Sequence, residues 1–101
     1  MHFILKAAIP VDAGNRLIKG DMEATFNKIL GDVRPEQVYF AVADGQRTIF
    51  MVVDVQDPTD FVRICEPLWL GLEADVDVYP TMTSEEFATI GPVMAGVVPK
   101  Y

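Results

Sequence analysis

The chain has 101 residues, half of them apolar, so one domain spanning residues 1–101 can form a hydrophobic core without disulfides or a structural metal. Its formal net charge is −7, with no cluster of lysine or arginine, which excludes nucleic acid and anionic membranes as expected partners. Its apolar runs are far shorter than the ~20 residues of a membrane span, no signal-peptide pattern is present, and Cys65 is the only cysteine, so we expect a cytoplasmic protein.

The first part of the chain predicts a strand followed by one long helix. The segment HFILKAAI is typical of a strand and stops at Pro10. The helix after it is capped by Asp12 or Asn15 and ends near Gly31. Gly20 within it weakens it by roughly 1 kcal/mol relative to alanine. One apolar face indicates the helix: Ile18, Met22, Phe26, Ile29 and Val33.

A hairpin follows, because Asp44 and Gly45 separate the strand-like segments VYFAVA and RTIFMVV and favour the positive φ angles of a two-residue turn. With Ala43 opposite Gln46, alternate residues face opposite sides of the sheet. The wholly apolar set is expected beneath the helices: Val38, Phe40, Val42, Ile49, Met51 and Val53. The mixed set faces away from them: Tyr39, Ala41, Thr48, Phe50, Val52 and Asp54.

The segment DPTD predicts a second helix, with Asp57 as its cap, Pro58 in its first turn and Asp60 placing negative charge near its N-terminus. Pro67 is expected to kink or end this helix, at a cost of ~3 kcal/mol if the helix continues. Its buried stripe is predicted from the apolar spacing: Phe61, Ile64, Cys65 and Leu68.

The last segments are a strand in ADVDVYPTM and a short helix capped by Ser84 and broken at Gly91-Pro92. The order strand, helix, strand, strand, helix, strand predicts an α+β, ferredoxin-like βαββαβ fold with an extra C-terminal helix. Its antiparallel sheet has the order 4-1-3-2, and both main helices lie on one face.

The face away from the helices carries apolar residues that each contribute roughly 1.5–3 kcal/mol when buried. These residues are Ile4, Tyr39, Phe50 and Val52. A second copy of the chain is the simplest cover, so we expect a homodimer formed through this face. The alternative is that the C-terminal segment FATIGPVMAGVVPKY folds back over its own sheet, although Pro92 and Pro99 interrupt it.

Four segments, MHFIL, NRL, FMVVDVQDPTDF and DVDVYPTMTSEEF, resemble the dimeric α/β-barrel superfamily, most closely its small members of unknown function. The resemblance covers nearly the full chain and rests on element order and strand character. It implies a homodimer whose two sheets close into a barrel with a cavity in each protomer. Characterised members include cofactor-independent quinol monooxygenases, muconolactone isomerase and haem-binding enzymes, so the resemblance does not fix the chemistry.

The predicted strand order places chemical groups together. His2 is expected near Asp54, with Tyr79 or Thr81 on its other side, because the first strand runs antiparallel to its neighbours. A carboxylate beside a histidine orients the ring for general-base catalysis. We therefore predict His2, Asp54 and Tyr79 as catalytic residues. The predicted substrate-binding residues are Lys6, which is expected near Asp75 or Asp77, together with Tyr39, Phe50 and Asp77.

Structural roles explain the same residues. His2 is also typical of a strand end, Asp54 of a strand-to-helix turn, and Lys6 with Asp77 of an exposed ion pair worth less than ~1 kcal/mol. Trp69 is expected in the core or a dimer contact. One histidine is too few for a typical zinc site, and no phosphate-binding loop or nucleophile motif is present, so no metal or cofactor is expected.

Three functional hypotheses follow. The first is a small monooxygenase-like or isomerase-like enzyme that acts without metal or cofactor on a compact aromatic or cyclic molecule. The second is a non-catalytic ligand-binding or stress-associated module that uses the same cavity. The third is an oligomeric structural protein whose cavity is filled by its own side chains.

Overall fold

The computed structural model describes residues 1–101 as an α+β fold with a four-stranded antiparallel sheet. The sheet order is β2-β3-β1-β4, which is the predicted 4-1-3-2 order read from the other edge, and the arrangement is compatible with a ferredoxin-like fold. None of the helices has the length and apolar character needed to cross a membrane. The elements in chain order are β1 (His2–Ile9), α1 (Val11–Lys19), α2 (Met22–Val33), β2 (Gln37–Ala43), β3 (Gln46–Asp54), α3 (Asp60–Leu72), β4 (Asp75–Pro80), α4 (Ser84–Phe87), α5 (Gly91–Val97) and a 3-10 turn (Val98–Lys100).

The central hairpin has the predicted turn and register. Asp44 and Gly45 have φ angles of 54° and 75°, the left-handed values that a two-residue hairpin turn requires. Ala43 lies opposite Gln46, as predicted. Every residue of β2 and β3 therefore lies on the expected side of the sheet.

The core lies between the sheet and the helices α1, α2 and α3. Gly71 allows α2 and α3 to approach closely, because a Cβ there would lie 2.8 Å from Cδ1 of Ile29. Cys65 is buried among apolar residues, and this burial raises the pKa of its thiol. The largest core side chains are Leu5, Ile49, Met51, Val53, Val33, Ile64 and Leu68.

The prediction of one helix before the hairpin is wrong, because the helix breaks at Gly20 and Asp21. The Gly20 N–H donates to the carbonyl groups of Arg16 and Leu17, which closes α1. The Asp21 carboxylate then accepts a hydrogen bond of 3.0 Å from the backbone N–H of Ala24 and caps α2. Gly20 therefore ends α1 and Asp21 caps α2, so the two residues separate two helices rather than weaken a single one.

The predicted caps of this region are also wrong. Pro10 occupies the position before α1, where no side chain caps the helix. Asp12 instead pairs with a guanidinium on α1, and Asn15 accepts a hydrogen bond from Arg47. Gly31 lies inside α2, which ends at Arg34 with a φ of 50°.

The start of α3 uses the predicted aspartates in a different arrangement. Asp57 accepts hydrogen bonds from the backbone N–H and the hydroxyl group of Thr59, which is the residue at the N-cap position. The Asp60 carboxylate accepts from the backbone N–H groups of Gln56 and Asp57. These bonds lower the pKa values of both carboxyl groups.

Pro67 lies inside α3 and does not end it. The helix continues to Leu72, and both Leu68 and Leu72 are buried. Burying such side chains contributes roughly 1.5–3 kcal/mol each, enough to offset the ~3 kcal/mol cost of the proline. Trp69 is 46% exposed, which excludes the core placement that the sequence suggested as one option.

Two residues expected beneath the helices are exposed instead. Phe40 and Val42 on the edge strand β2 are 64% and 82% exposed. Phe40 contacts the helix layer through an edge-to-face contact with Phe26, at a centroid distance of 5.6 Å. Both side chains are exposed because the helix layer is interrupted between α1 and α2 and does not cover this end of β2.

The C-terminal part of the chain projects from the rest of the molecule. Thr83, rather than Ser84, caps α4 through a reciprocal pair of hydrogen bonds with Glu86, and Gly91-Pro92 begins α5. Residues 91–101, termed here the C-terminal arm, are exposed throughout and do not cover the sheet. The radius of gyration is 16.9 Å, against about 13 Å for a compact domain of this length.

Candidate functional site

The sheet face opposite the helices carries all of the predicted site residues, and we term it the open face. Directly paired residues of an antiparallel sheet share one face, so the register defines its members. His2 lies opposite Asp54, and Lys6 lies between Phe50 and Asp77. Besides Ala8, Gln37, Ala41, Thr48 and Asp75, the open face includes His2, Ile4, Lys6, Tyr39, Phe50, Val52, Asp54, Asp77 and Tyr79.

The middle of the open face is apolar and aromatic. Tyr39 is 59% exposed, Ile4 and Tyr79 are also exposed, and Phe50 and Val52 are half-buried. The Tyr39 hydroxyl donates a 3.0 Å hydrogen bond to the side-chain carbonyl of Gln37. These residues form one continuous apolar surface across the strands, of the kind that marks an interface or a ligand site.

One end of this face holds a histidine paired with a carboxylate. The His2 Nε2 atom lies 3.1 Å from Oε1 and 3.0 Å from Oε2 of Glu36. The Thr81 hydroxyl donates a 2.8 Å hydrogen bond to the His2 carbonyl, which ties the start of β1 to the chain that leaves β4. The position of His2 beside Asp54 and Thr81 is therefore as predicted, but its carboxylate partner is different.

Asp54 binds other groups. Its carboxylate accepts a 3.0 Å hydrogen bond from the amino group of Met1 and a second from the side chain of Gln56. These contacts, the amino group first, lower the pKa of Asp54, and the nearby His2 ring adds to the effect. The predicted hydrogen-bonded pair of His2 with Asp54 is not formed, although the two residues are neighbours in the register.

Glu36 is the site residue that the sequence reasoning missed. It directly precedes β2, and its backbone N–H donates a 2.8 Å hydrogen bond to the carbonyl of Val52. Gln37 lies opposite Val52, so extending the hairpin register by one residue places Glu36 opposite Val53, on the helix side of the sheet by strict alternation. Glu36 lies outside β2, and its side chain departs from this alternation to reach His2, so the strand register gave no signal for the contact.

Lys6 lies further along the same face and pairs with an unpredicted partner. Its ammonium group lies 3.2 Å from Oδ2 of Asp44 in the hairpin turn, and this hydrogen bond raises the pKa of Lys6. The ion pair expected with Asp75 or Asp77 is not formed. Asp77 and Tyr79 are close enough to add to the pKa shift, so Lys6 is the positive centre of this part of the face.

The open face is a surface rather than a pocket in the single chain. Two cavities, of about 680 and 430 Å³, lie on the helix side, one between α2 and α3 and the other beside α1, α2 and β2. No cluster of three or more histidine, cysteine or acidic side chains is placed to hold a metal ion. The groups that the face offers are therefore the His2–Glu36 pair, the Lys6–Asp44 pair and the aromatic surface between them.

Comparisons with known proteins do not assign a family. The sequence matches no protein-family model, and no curated protein was found to match it. The similarity to the dimeric α/β-barrel superfamily therefore rests on the segments and element order described above.

Proposed function

We propose that two copies of this chain associate through their open faces to form a dimeric α/β barrel, and that the enclosed cavity binds a compact aromatic or cyclic molecule. We further propose proton-transfer catalysis there, of the isomerase or cofactor-independent monooxygenase kind. One observation carries this proposal: an exposed apolar and aromatic sheet face has a His2–Glu36 pair at one end and a Lys6–Asp44 pair further along.

The exposed apolar surface of the open face favours burial against a second molecule. Burial of the apolar side chains at the centre of the open face contributes roughly 1.5–3 kcal/mol each, and the sum rivals the stability of a small domain. The helices already occupy the other side of the sheet, and the C-terminal arm does not cover its own open face. A second open face is apolar in the same places, so a two-fold pairing satisfies both copies at once.

The His2–Glu36 pair has the arrangement of a general base. When Nε2–H donates to Glu36, Nδ1 keeps a lone pair that makes no hydrogen bond within the chain. That nitrogen takes a proton from an acidic C–H or O–H of the substrate, and the electron pair stays on the substrate. In an isomerisation the imidazolium returns the proton to a different carbon, so no atom is gained or lost.

The remaining residues bind the substrate. The Lys6 ammonium stabilises the negative charge that develops on a substrate oxygen when the proton leaves. Tyr39, Phe50 and Tyr79 provide aromatic surfaces for a ring, and the Tyr79 hydroxyl helps to position the bound molecule.

The dimer is tested by sedimentation velocity over a range of concentrations. Val52→Asp places a charge at the centre of the open face and is expected to yield monomers with an unchanged circular dichroism spectrum. Val62→Asp is the matched control, because Val62 is an exposed valine on α3. A parent chain that stays monomeric at high concentration, or a Val52→Asp variant that dimerises like the parent, contradicts the proposal.

Catalysis is tested with defined probes. Small unsaturated lactones, which carry an acidic C–H, are first screened for compounds that raise the melting temperature of the parent but not of Phe50→Ala. Each binding compound is then incubated with the protein in D₂O, and exchange of its acidic C–H is followed by NMR. We expect exchange with the parent and its loss with His2→Ala. Equal exchange by both proteins contradicts the role of His2.

A second candidate function is non-catalytic ligand binding. The observation that favours it is that the His2 and Glu36 side chains are 44% and 51% exposed, so water competes for the site in the single chain. A probe that raises the melting temperature and is released unchanged, with no deuterium exchange, assigns the protein to this class.

A further inference from the structure

Arg47 is the only charged residue on the helix side of the sheet. Its row in the register joins Ile9 of β1 and Val42 of β2, and every other residue on this side of the four strands is apolar. The Arg47 side chain is exposed and forms no ion pair within the chain. Its hydrogen bond, 3.1 Å from Nη2 to Oδ1 of Asn15, has a neutral acceptor. The positive charge of the guanidinium is therefore not neutralised by any carboxylate of the chain.

Gly14 gives the Arg47 guanidinium its position against α1. A Cβ at residue 14 would lie 2.6 Å from Nη1 and 3.3 Å from Cδ of Arg47, so an alanine there requires the guanidinium to move. Gly14 is buried within α1, where glycine is less favourable than alanine, and this close approach gives a reason for it. Asn15, the next residue of the same helix, holds the other terminal nitrogen. The guanidinium is thus positioned by α1 while most of its N–H donors stay free.

A largely apolar cavity lies beside Arg47, where the helix layer is interrupted between α1 and α2, and we term it the Arg47 cavity. Its volume of about 430 Å³ is in the range of ~300–1,000 Å³ that is typical of small-molecule sites. Arg47 is the only charged residue in its lining, so no acidic side chain faces the cavity. Four of its lining side chains are large, apolar and exposed: Ile18, Met22, Phe40 and Val42. Such a surface favours an apolar occupant.

We propose that the Arg47 cavity binds an aliphatic monocarboxylate, of the class of medium-chain fatty acids. The carboxylate pairs with the guanidinium of Arg47, whose planar donors match its two oxygens, and the acyl chain lies along the apolar residues. One uncompensated cation matches one negative charge, and the rest of the lining offers nothing to a second charge. A purely apolar protein segment would cover the same side chains but would leave the guanidinium without an anion.

This site is independent of the proposed function. It lies on the opposite side of the sheet from the open face, and it is formed by a single chain. Neither the proposed homodimer nor the proposed catalysis is needed for it.

Titration of the ¹⁵N-labelled chain with sodium decanoate, followed by NMR and calorimetry, tests the site. We expect the amide signals of Leu17 and Val42 to shift and those of the open-face residues Ile4 and Tyr79 to stay unchanged. The neutral probe 1-decanol and the cation decyltrimethylammonium carry the same chain without the anion and should bind at least about tenfold more weakly. Octanoate should bind about tenfold or more weakly than decanoate, because each buried methylene changes the affinity by about fourfold.

Two variants test the role of the guanidinium. Arg47→Gln removes the charge and should weaken decanoate binding by about tenfold or more. Lys28→Gln is the matched control, because Lys28 is an exposed cation on α2 that does not line this cavity. Gly14→Ala moves the guanidinium while favouring the helix, so we expect binding to weaken by about threefold or more without a loss of melting temperature.

Several outcomes would overturn the proposal. Equal binding of decanoate by Arg47→Gln and the parent, or equal affinity of the parent for decanoate and 1-decanol, would mean that the guanidinium does not recognise the ligand. Shifts confined to Ile4 and Tyr79 would place the ligand on the open face and would support the proposed function instead. A parent chain that does not bind decanoate would exclude the fatty-acid site and leave the proposed function as it stands.

Discussion

The hydrogen bond between His2 and Glu36 identifies the carboxylate that orients the imidazole ring. The strand register alone did not identify it. Glu36→Gln keeps the shape of the side chain but removes the negative charge that stabilises the imidazolium, so we expect a fall of about tenfold or more in the rate of probe exchange. Asp54→Asn is expected to cost less, because Asp54 bonds to the Met1 amino group and Gln56. The measurement is the deuterium-exchange rate of each variant under identical conditions. A larger loss in Asp54→Asn would restore the pairing that the sequence predicted.

The site therefore shows a limit of prediction at the scale of single residues. Strand register placed the predicted residues on one face correctly, because side-chain direction alternates with a strict period of two. It did not give the partners of His2 and Lys6, since Glu36 and Asp44 lie just outside the strands. Such contacts depend on loop geometry, which no periodic pattern encodes.

Two glycines give a second prediction at this scale. Gly45 has a φ of 75°, so Gly45→Ala should destabilise the chain by about 1 kcal/mol through backbone strain. Gly31 lies inside α2 and has open space where the methyl group of an alanine would lie, so Gly31→Ala should stabilise the chain by roughly 0.5–1 kcal/mol. Urea unfolding of the two variants measures both effects. Stabilisation by Gly45→Ala would contradict this account of the turn, and destabilisation by Gly31→Ala would contradict the account of α2.

At the scale of elements, the strands were predictable and the helix boundaries were not. The hairpin turn and alternating strands each rest on local signals that agree with the final structure. The α1–α2 break was misread because apolar spacing continues in phase across Gly20 and Asp21, so periodicity predicted one helix where the structure has two. Pro67 does not end α3, although proline is a helix breaker, because the burial of Leu68 and Leu72 offsets its cost.

The start of α3 predicts how stability changes with acid. The pKa of Asp60 is lowered by hydrogen bonds from the backbone N–H groups of Gln56 and Asp57. The unfolded chain, with a carboxyl pKa near 4, therefore binds the proton first on acidification. This contribution to stability is present above about pH 4 and is lost as the pH falls through the lower folded-state pKa.

We expect Asp60→Asn to lower the midpoint of urea unfolding at pH 7. The midpoint of this variant should also fall less than that of the parent between pH 5 and about pH 3, because the titrating group is absent. Asp75→Asn is the control, since the Asp75 side chain makes no hydrogen bond within the chain. Parallel curves of midpoint against pH for the parent and Asp60→Asn would show that these N–H contacts do not carry the acid sensitivity.

At the scale of the whole molecule, the position of the arm could not be read from the sequence. The segment after Phe87 is apolar enough either to cover its own sheet or to bind elsewhere, and only the tertiary arrangement separates these outcomes. The direction in which the chain leaves β4 sets where the arm projects, and that direction depends on contacts such as the Thr81–His2 hydrogen bond. Local patterns contain no information about it.

The charge of the whole molecule opposes the proposed dimer. Each copy has a net charge of −7, so two copies repel one another at long range while their apolar faces attract at contact. Salt shortens the range of the repulsion, from about 30 Å at 0.01 M to about 8 Å at 0.15 M, and leaves apolar burial largely unaffected. An apolar interface between acidic chains should therefore tighten as salt is added.

We expect the dimer dissociation constant, measured by sedimentation equilibrium, to fall about threefold or more between 0.01 M and 0.15 M NaCl. The variant Glu23→Lys/Asp32→Lys changes two exposed residues of α2, on the side of the sheet away from the open face. Each reversal adds two positive charges, so the net charge changes from −7 to −3. This variant should dimerise more tightly at low salt and respond less to salt. A dissociation constant that rises with salt would mean that ion pairs, rather than the apolar open face, hold the copies together.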